Sequence, residues 1–261
     1  MRRVLIAIVA GLLGWLVVLV ALDLVLGARQ ERRTCDRLAE SLHATATVQS
    51  SDLALIAGRW QFSGLAVRKD DAVGRLAIDV ADVRCELPPL GWTLIDRDCR
   101  ELAIRDAKLE VSSNAVFRLE HPKRRPIHAE RLVIDNATLT FLPSAFAPNM
   151  GQIEIHIDHA ESGPTTLRTP MSWLFALREL RARLALPANV TLDLTYMKGT
   201  LGVTSSLLGA PVDIPLELPD PTQALNGHEE NLMLAKLGKD VAERVVAQRA
   251  QDWLKSKLQP R

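Results

Sequence analysis

The chain has 261 residues, carries 32 Lys and Arg against 31 Asp and Glu, and is only 4% aromatic. This length allows one large domain or two small ones, with enough residues to bury a hydrophobic core. A neutral, aromatic-poor chain lacks the basic surface and the stacking rings of nucleic-acid-binding proteins. The composition therefore excludes nucleic acid from the partners that we expect.

The N-terminal segment, residues 1–28, has the pattern of a transmembrane anchor. Val4–Leu22 contains no charged residue, and as a helix it would reach ~28 Å, close to the hydrocarbon thickness of a bilayer. Arg2 and Arg3 place the N-terminus in the cytoplasm, although three more arginines follow the segment. A cleavable signal peptide is the alternative, but its apolar core is usually only ~7–15 residues long. We predict an uncleaved single-pass anchor.

Beyond the anchor, the sequence divides into three further parts. Residues 29–43 are charged and are predicted to form a stalk, whereas residues 44–220 hold short apolar runs of β character. Residues 221–261 contain a predicted amphipathic helix, His228–Leu258, with a slightly drifting apolar stripe. We expect this C-terminal helix to cover the open face or end of a sheet. Docking to a partner and lying on a membrane surface are the alternatives.

Three stretches within the β region repeat one another: Arg75–Cys85, Glu101–Val111 and Arg131–Phe141. Each follows the pattern x-L-x-I-x-x-A-x-[LV]-x-[VFC], in which the apolar positions change parity halfway. Side chains alternate faces along a strand, so one extra residue near Arg105-Asp106 would return all of them to one side. The repeats therefore predict a mainly β fold: a curved, bulged antiparallel sheet, groove-like, with one apolar face.

The apolar residues of the repeats are the candidate lining of that groove. A large one-sided apolar surface with little helix to cover it usually meets a ligand or a partner. The candidates are Leu76, Ile78, Val83, Leu102, Ile104, Leu109, Leu132, Ile134 and Leu139.

Two of the three cysteines lie where neighbouring antiparallel strands would end and begin. Cys85 closes the first repeat and Cys99 precedes the second, so a disulfide between them is geometrically reasonable. It would close a loop of ~15 residues and stabilise the fold by roughly 3 kcal/mol on the chain-entropy model. Two buried free thiols are the alternative, and Cys35 has no evident partner.

The chain after the repeats is predicted to contain one internal helix among further strands. Thr169-Pro170 resembles a helix start, and the following apolar residues recur at helical spacing: Trp173, Leu177, Leu180 and Leu184. Two alternating runs joined by Lys198-Gly199 predict a hairpin. The last alternating run contains Pro215, which removes a ladder donor and therefore predicts an edge strand.

Catalytic and metal-binding motifs are weak throughout. The sequence contains no G-x-S-x-G, P-loop or dinucleotide fingerprint. A metal site is one interpretation of His156, Asp158 and His159. In a continuous strand, however, His159 would point to the other face of the sheet, which favours a solvent-exposed sheet face over a metal site. We therefore predict no enzymatic activity, no cofactor and no metal site.

The order of these elements resembles the AsmA-like family, which includes the TamB-type proteins of Gram-negative envelopes. The matching features are the apolar anchor, the phrases RLAIDVADVRCEL and PPLGWTLID, and then ELAIRDAKLEV and RLVIDNATLTF, within roughly residues 1–160. The resemblance implies an inner-membrane protein with a cytoplasmic N-terminus and a periplasmic groove for phospholipid acyl chains. This chain is much shorter than the family members that bridge two membranes, and its segment from Thr169 onward matches none of the pattern.

Two functions follow as hypotheses. The first is a lipid-handling protein that contributes to phospholipid transport or outer-membrane homeostasis. The second is a structural or assembly factor of an envelope or secretion complex, in which the same residues form an ordinary core. The expected partners are the membrane, phospholipid, and other envelope proteins or further copies of the chain.

Overall fold

A computed structural model describes most of the chain between residues 44 and 218. The described ranges are 44–54, 58–71, 74–87, 98–112, 127–143, 151–167, 172–205 and 211–218, with helical residues within 31–40 and 229–247. The predicted anchor, residues 1–28, lies outside them. In the part of the chain that is described, no helix is both long and apolar enough to cross a membrane.

The described chain is mainly β and forms one large curved, open sheet. Two short 3-10 helices, Ser172–Ala176 and Pro187–Asn189, interrupt the strands. The strands are β1 (Thr45–Thr47), β2 (Ser50–Ala54), β3 (Arg59–Asp71), β4 (Gly74–Glu86), β5 (Asp98–Ser112), β6 (Ile127–Leu142), β7 (Ile153–Ser162), β8 (Thr165–Leu167), β9 (Leu177–Leu186), β10 (Val190–Met197), β11 (Thr200–Ser205) and β12 (Val212–Pro215).

The sheet is mixed, and the predicted antiparallel sheet is wrong at one pairing. The strand order is β1-β3-β4-β5-β6-β7-β9-β10-β11-β12, with β2 on β3 and β8 on β6, and β5 runs parallel to β6. The second and third repeats lie side by side in register, Leu102 opposite Leu132 and Ile104 opposite Ile134. The apolar pattern is nearly symmetric about its midpoint. Parallel and antiparallel pairing of two repeats therefore place similar apolar residues opposite each other.

The predicted bulge is present as a corner that crosses the sheet. The ladder skips one residue at the same level in each of five strands, and we call these residues the corner line: Gly64, Ala81, Asp106, Asn136 and Asp158. Asp106 and Asn136 have left-handed φ angles of 52° and 54°, which Asp and Asn tolerate better than other side chains. The corner restores the apolar parity and bends the strands.

The predicted internal helix is wrong over most of its length. Thr169-Pro170 lies outside the described residues, Trp173 belongs to a 3-10 turn, and β9 begins at Leu177. A spacing of four residues, as between Leu180 and Leu184, satisfies both a helix and a strand. Ala182 between them is buried on the same face. Because its side chain is small, the alternation of apolar residues that is typical of a strand was not apparent in the sequence.

The C-terminal part of the sheet follows the predicted order. Lys198 and Gly199 have φ angles of 52° and 78° and join β10 to β11, the conformation of a type I′ hairpin turn. β12, which ends at Pro215, is the last strand in the sheet order. The predicted edge strand is therefore confirmed.

The C-terminal helix is described at residues 229, 232–233, 235–241 and 243–247. Its Val241 and Val245 pack against the buried core, and the Arg244 guanidinium donates to the Pro215 carbonyl at 2.7 Å. Leu232 and Val246, by contrast, are 57% and 68% exposed. At these residues the helix contacts the buried core and the last residue of β12.

Candidate functional site

Apolar side chains occupy one face of the sheet in rows that cross the strands. We call the face that carries Leu102 and Leu132 the inner face. On the side of the corner line away from Leu102 and Leu132, one such row runs from β4 to β10. Its aligned residues are Ile78, Leu109, Leu139, Ile155, Leu184 and Leu192. Because the corner resets the parity of each strand, the inner face stays apolar on both sides of the bend.

On the side of the corner that carries Leu102 and Leu132, the inner face is buried in a core, which we call the closed core; Ala137 and Ile157, just past the corner line, pack against it. It contains the disulfide sulfurs, Leu102, Leu132 and Ile134, and Trp173 from the first 3-10 helix packs onto it. Val83 and Ile104 are partly buried against the same cluster. Five of the nine predicted groove residues therefore lie in or on the closed core: Val83, Leu102, Ile104, Leu132 and Ile134.

The other four predicted groove residues lie beyond the corner in a second cluster. Leu76 and Val111 are buried there, each 3% exposed, with partly buried Ile78, Leu109, Leu139 and Phe141 packed against them. The pattern of the repeats thus spans two different environments. Its first half in β5 and β6 enters the closed core and its second half enters this smaller cluster.

Half-buried apolar side chains continue from the second cluster across β7, β9 and β10. We call the continuous surface the apolar strip; its members are Ile78, Leu109, Leu139, Phe141, Ile153, Ile155, Leu184, Leu186, Val190 and Leu192. Six adjacent strands spaced by ~4.8 Å make the strip about 24 Å long across the strands.

Sequence reasoning found the strip only in part. The alternation of Ile153 and Ile155, and of Val190 and Leu192, was visible in the sequence. Leu184 is missed because its spacing assigns it to the internal helix, and Leu186, two residues further on, is assigned to no element. An alternating pattern of charged Arg181 and Arg183 against apolar neighbours was the available signal.

The opposite face of the sheet is polar and carries cross-strand ion pairs. The Arg131 guanidinium donates to Glu101 Oε2 at 2.9 Å and to Glu161 Oε2 at 2.7 Å. The hydrogen bond from Arg131 lowers the pKa of the Glu161 carboxyl below its ordinary value. Arg183 donates in the same way to Asp193 at 2.8 Å. The two faces therefore differ sharply in polarity, as expected of a sheet with one solvated face.

The histidines near the corner belong to this polar face. His156 Nδ1 lies 3.0 Å from Thr138 Oγ1, and its Nε2 lies 3.1 Å from Asp158 Oδ1. The corner at Asp158 turns His159 to the same face, so the expectation that His159 points away is wrong. His159 Nδ1 contacts Asp135 at 2.6 Å. Within the described ranges no three side chains are grouped to hold a metal ion.

Within the closed core, a disulfide joins the end of β4 to the start of β5. Cys85 and Cys99 are bonded, with 5.4 Å between their Cα atoms, and they are 2% and 4% exposed. The pairing of β4 with β5 is antiparallel, which brings the end of one strand beside the start of the next. Cys35 is a free cysteine.

No protein-family model matches the chain, and no curated protein sequence matches it.

Proposed function

We propose that the chain is an AsmA-like protein of the bacterial envelope that handles phospholipid. In this proposal residues 1–28 anchor it in the inner membrane with the N-terminus in the cytoplasm, and the sheet lies in the periplasm. The apolar strip receives acyl chains while the closed core supports it. The sheet itself performs no reaction; its role is to shield an apolar molecule from water.

The apolar strip is the observation that carries this proposal. Contiguous apolar surface of this extent on a soluble domain usually marks a site for a ligand, a partner or a membrane. A strip of about 24 Å exceeds the depth of one leaflet, roughly 15 Å or half of a ~30 Å hydrocarbon core. An extended acyl chain therefore fits along it, across the strands.

The buried disulfide supports the proposed compartment. Disulfides persist in oxidising compartments such as the periplasm and are rare in the cytosol. Cys85 and Cys99 are both inside the closed core, where their bond stabilises the side of the sheet that carries no open apolar surface.

A structural or assembly role is the second candidate, and the closed core favours it. Five of the nine residues first assigned to a groove are packed in or on that core, as the alternative hypothesis expected. In that case the apolar strip would contact a partner protein of the envelope instead of lipid.

The test is lipid analysis of the purified domain, residues 29–261, which lacks the proposed anchor and its own lipid shell. We expect mass spectrometry of the domain prepared from the periplasm to show co-purified phospholipid. We also expect added phospholipid to exchange with it. Absence of both bound and exchangeable lipid in a folded domain would favour the assembly role.

A further inference from the structure

The apolar strip is long in only one direction. A strand contributes at most two residues to it, such as Val190 and Leu192 on β10, and two such residues are only ~6.8 Å apart along the strand. Across the strands, the aligned residues from Ile78 to Leu192 extend about 24 Å. An extended acyl chain can therefore make continuous apolar contact across the strands but not along a single strand.

Both ends of the strip are defined by the residue that lies opposite its last member. At β4, Ile78 lies opposite Val67 of β3, which is 1% exposed and so adds no accessible surface. At β10, Leu192 lies opposite Ser205 of β11, where the aligned row changes from an apolar side chain to a hydroxyl. Directly opposite residues share one face of the sheet. The accessible apolar surface therefore has a fixed length, from β4 to β10.

The size of the strip favours a small ligand over a second copy of the chain. Two inner-face residues occupy ~14 Å of a strand, so a strip about 24 Å long covers roughly 340 Å². A stable protein interface buries about 800 Å² on each partner. Toward the corner, Ala137 and Ile157 pack against the closed core, so the strip does not continue in that direction. The strip is therefore too small for a stable dimer, whereas its length matches that of an acyl chain.

The length of the strip corresponds to a definite number of carbons. Carbon–carbon bonds of ~1.5 Å advance an extended chain by roughly 1.3 Å per methylene. We infer that the apolar strip selects acyl chains by length, and that it binds a chain of about 18 carbons laid across the strands from β4 to β10. This inference rests on the proposed lipid-handling function and adds a limit on chain length. Methylenes beyond that limit extend past Val67 or Ser205 and stay in water.

The test is a series of lysophosphatidylcholines that differ only in their acyl chain: lauroyl, myristoyl, palmitoyl, stearoyl and behenoyl. Each is titrated, below its critical micelle concentration, into the delipidated full-length chain in amphipol, and its affinity is measured by displacement of a dansyl-labelled fatty acid. We expect the affinity to rise roughly two- to fourfold per methylene as far as stearoyl, the effect of burying half or all of each methylene. Behenoyl should bind no more tightly than stearoyl.

A continued rise from stearoyl to behenoyl, or a plateau below palmitoyl, overturns the inference and leaves lipid binding by the strip standing. Binding of none of the five ligands contradicts the proposed function itself. These outcomes are measured on the native chain and do not depend on the folding of any variant.

The double variant Val190→Gln, Leu192→Gln tests whether the bound chain ends at β10. It shortens the strip by one strand, ~4.8 Å or about four carbons. We expect its plateau to move from stearoyl to myristoyl, with the affinity for lauroyl unchanged. The control Thr191→Gln, on the polar face of the same strand, should keep the native plateau. A folded double variant with the native plateau overturns the inference.

Discussion

The bend of the sheet depends on a few residues with unusual backbone conformation. Asp106 and Asn136 are adjacent on β5 and β6, both have left-handed φ angles, and the Asn136 amide donates to the Asp106 carboxylate. Gly64 on β3 is also left-handed, and an added Cβ there would lie 2.5 Å from the Gln49 side chain. The corner therefore depends on Asp106 and Asn136, which accept the left-handed conformation, and on Gly64, which leaves space for the Gln49 side chain.

Substitution of Asn136 tests the cost of the corner. Asn136→Val places a β-branched side chain at a left-handed φ, and we expect a loss of about 1–3 kcal/mol in the free energy of unfolding. Asn136→Gly should cost less than the valine variant, because glycine accepts the backbone conformation and only the exposed bond to Asp106 is lost. Urea unfolding followed by circular dichroism measures both. Equal losses in the two variants would show that the left-handed conformation is not the constraint.

We expect the ion pair of Glu161 with Arg131 to contribute stability that is lost at acid pH. Its hydrogen bond from Arg131 holds the pKa of the folded state below the ordinary value of 4.5. The contribution is thus fully present at neutral pH and is lost as the pH falls through the acid side of 4.5. We expect Glu161→Gln to destabilise the protein by less than about 1 kcal/mol at pH 7, since Arg131 is largely exposed.

The measurement is urea unfolding of the native chain and Glu161→Gln across this acid range. The difference between them should shrink as the pH falls. A difference that is constant between neutral and acid pH would contradict the role of the ion pair.

At the scale of elements, the parity change in the repeats was sufficient to predict strands, their apolar face and the corner near Asp106. It could not predict the parallel pairing of β5 and β6, because Leu102 and Ile104 meet similar residues in either direction. The sequence pattern also could not show that β9 is a strand, because the spacing of Leu180 and Leu184 fits both a helix and a strand. The burial of Ala182, which distinguishes the two, depends on strands that are distant in sequence. The extent of the strip required the strand order, which brings β7, β9 and β10 beside the repeats.

The disulfide between β4 and β5 gives a prediction at this scale. Replacing both Cys85 and Cys99 by alanine opens a closed loop of ~15 residues, and we expect a loss of roughly 3 kcal/mol in the free energy of unfolding. Guanidinium unfolding of the oxidised native chain and the double variant measures the difference. A control variant of the free Cys35 to alanine should have a much smaller effect. Equal stability of the oxidised chain and the double variant would contradict a stabilising role.

At the scale of the whole molecule, the inner face consists of a closed core, which extends past the corner line to Ala137 and Ile157, and an apolar strip beyond it. This division changes which residues can test lipid binding. Ile104 packs against the closed core, so Ile104→Asp would report on folding as well as on any ligand. Leu192 on β10 is half-buried in the strip, and its neighbour Thr191 is exposed on the other face. These two residues form a matched pair on one strand.

Lipid pickup by Leu192→Asp and Thr191→Asp therefore tests the central claim most directly. Both variants of residues 29–261 are first shown to be folded by circular dichroism and thermal unfolding, and bound phospholipid is then quantified by mass spectrometry. The account predicts that Leu192→Asp loses most of the bound lipid, because a carboxylate in the strip is costly to bury against an acyl chain. Thr191→Asp should retain lipid at the native level. Native lipid content in a folded Leu192→Asp domain would contradict the account.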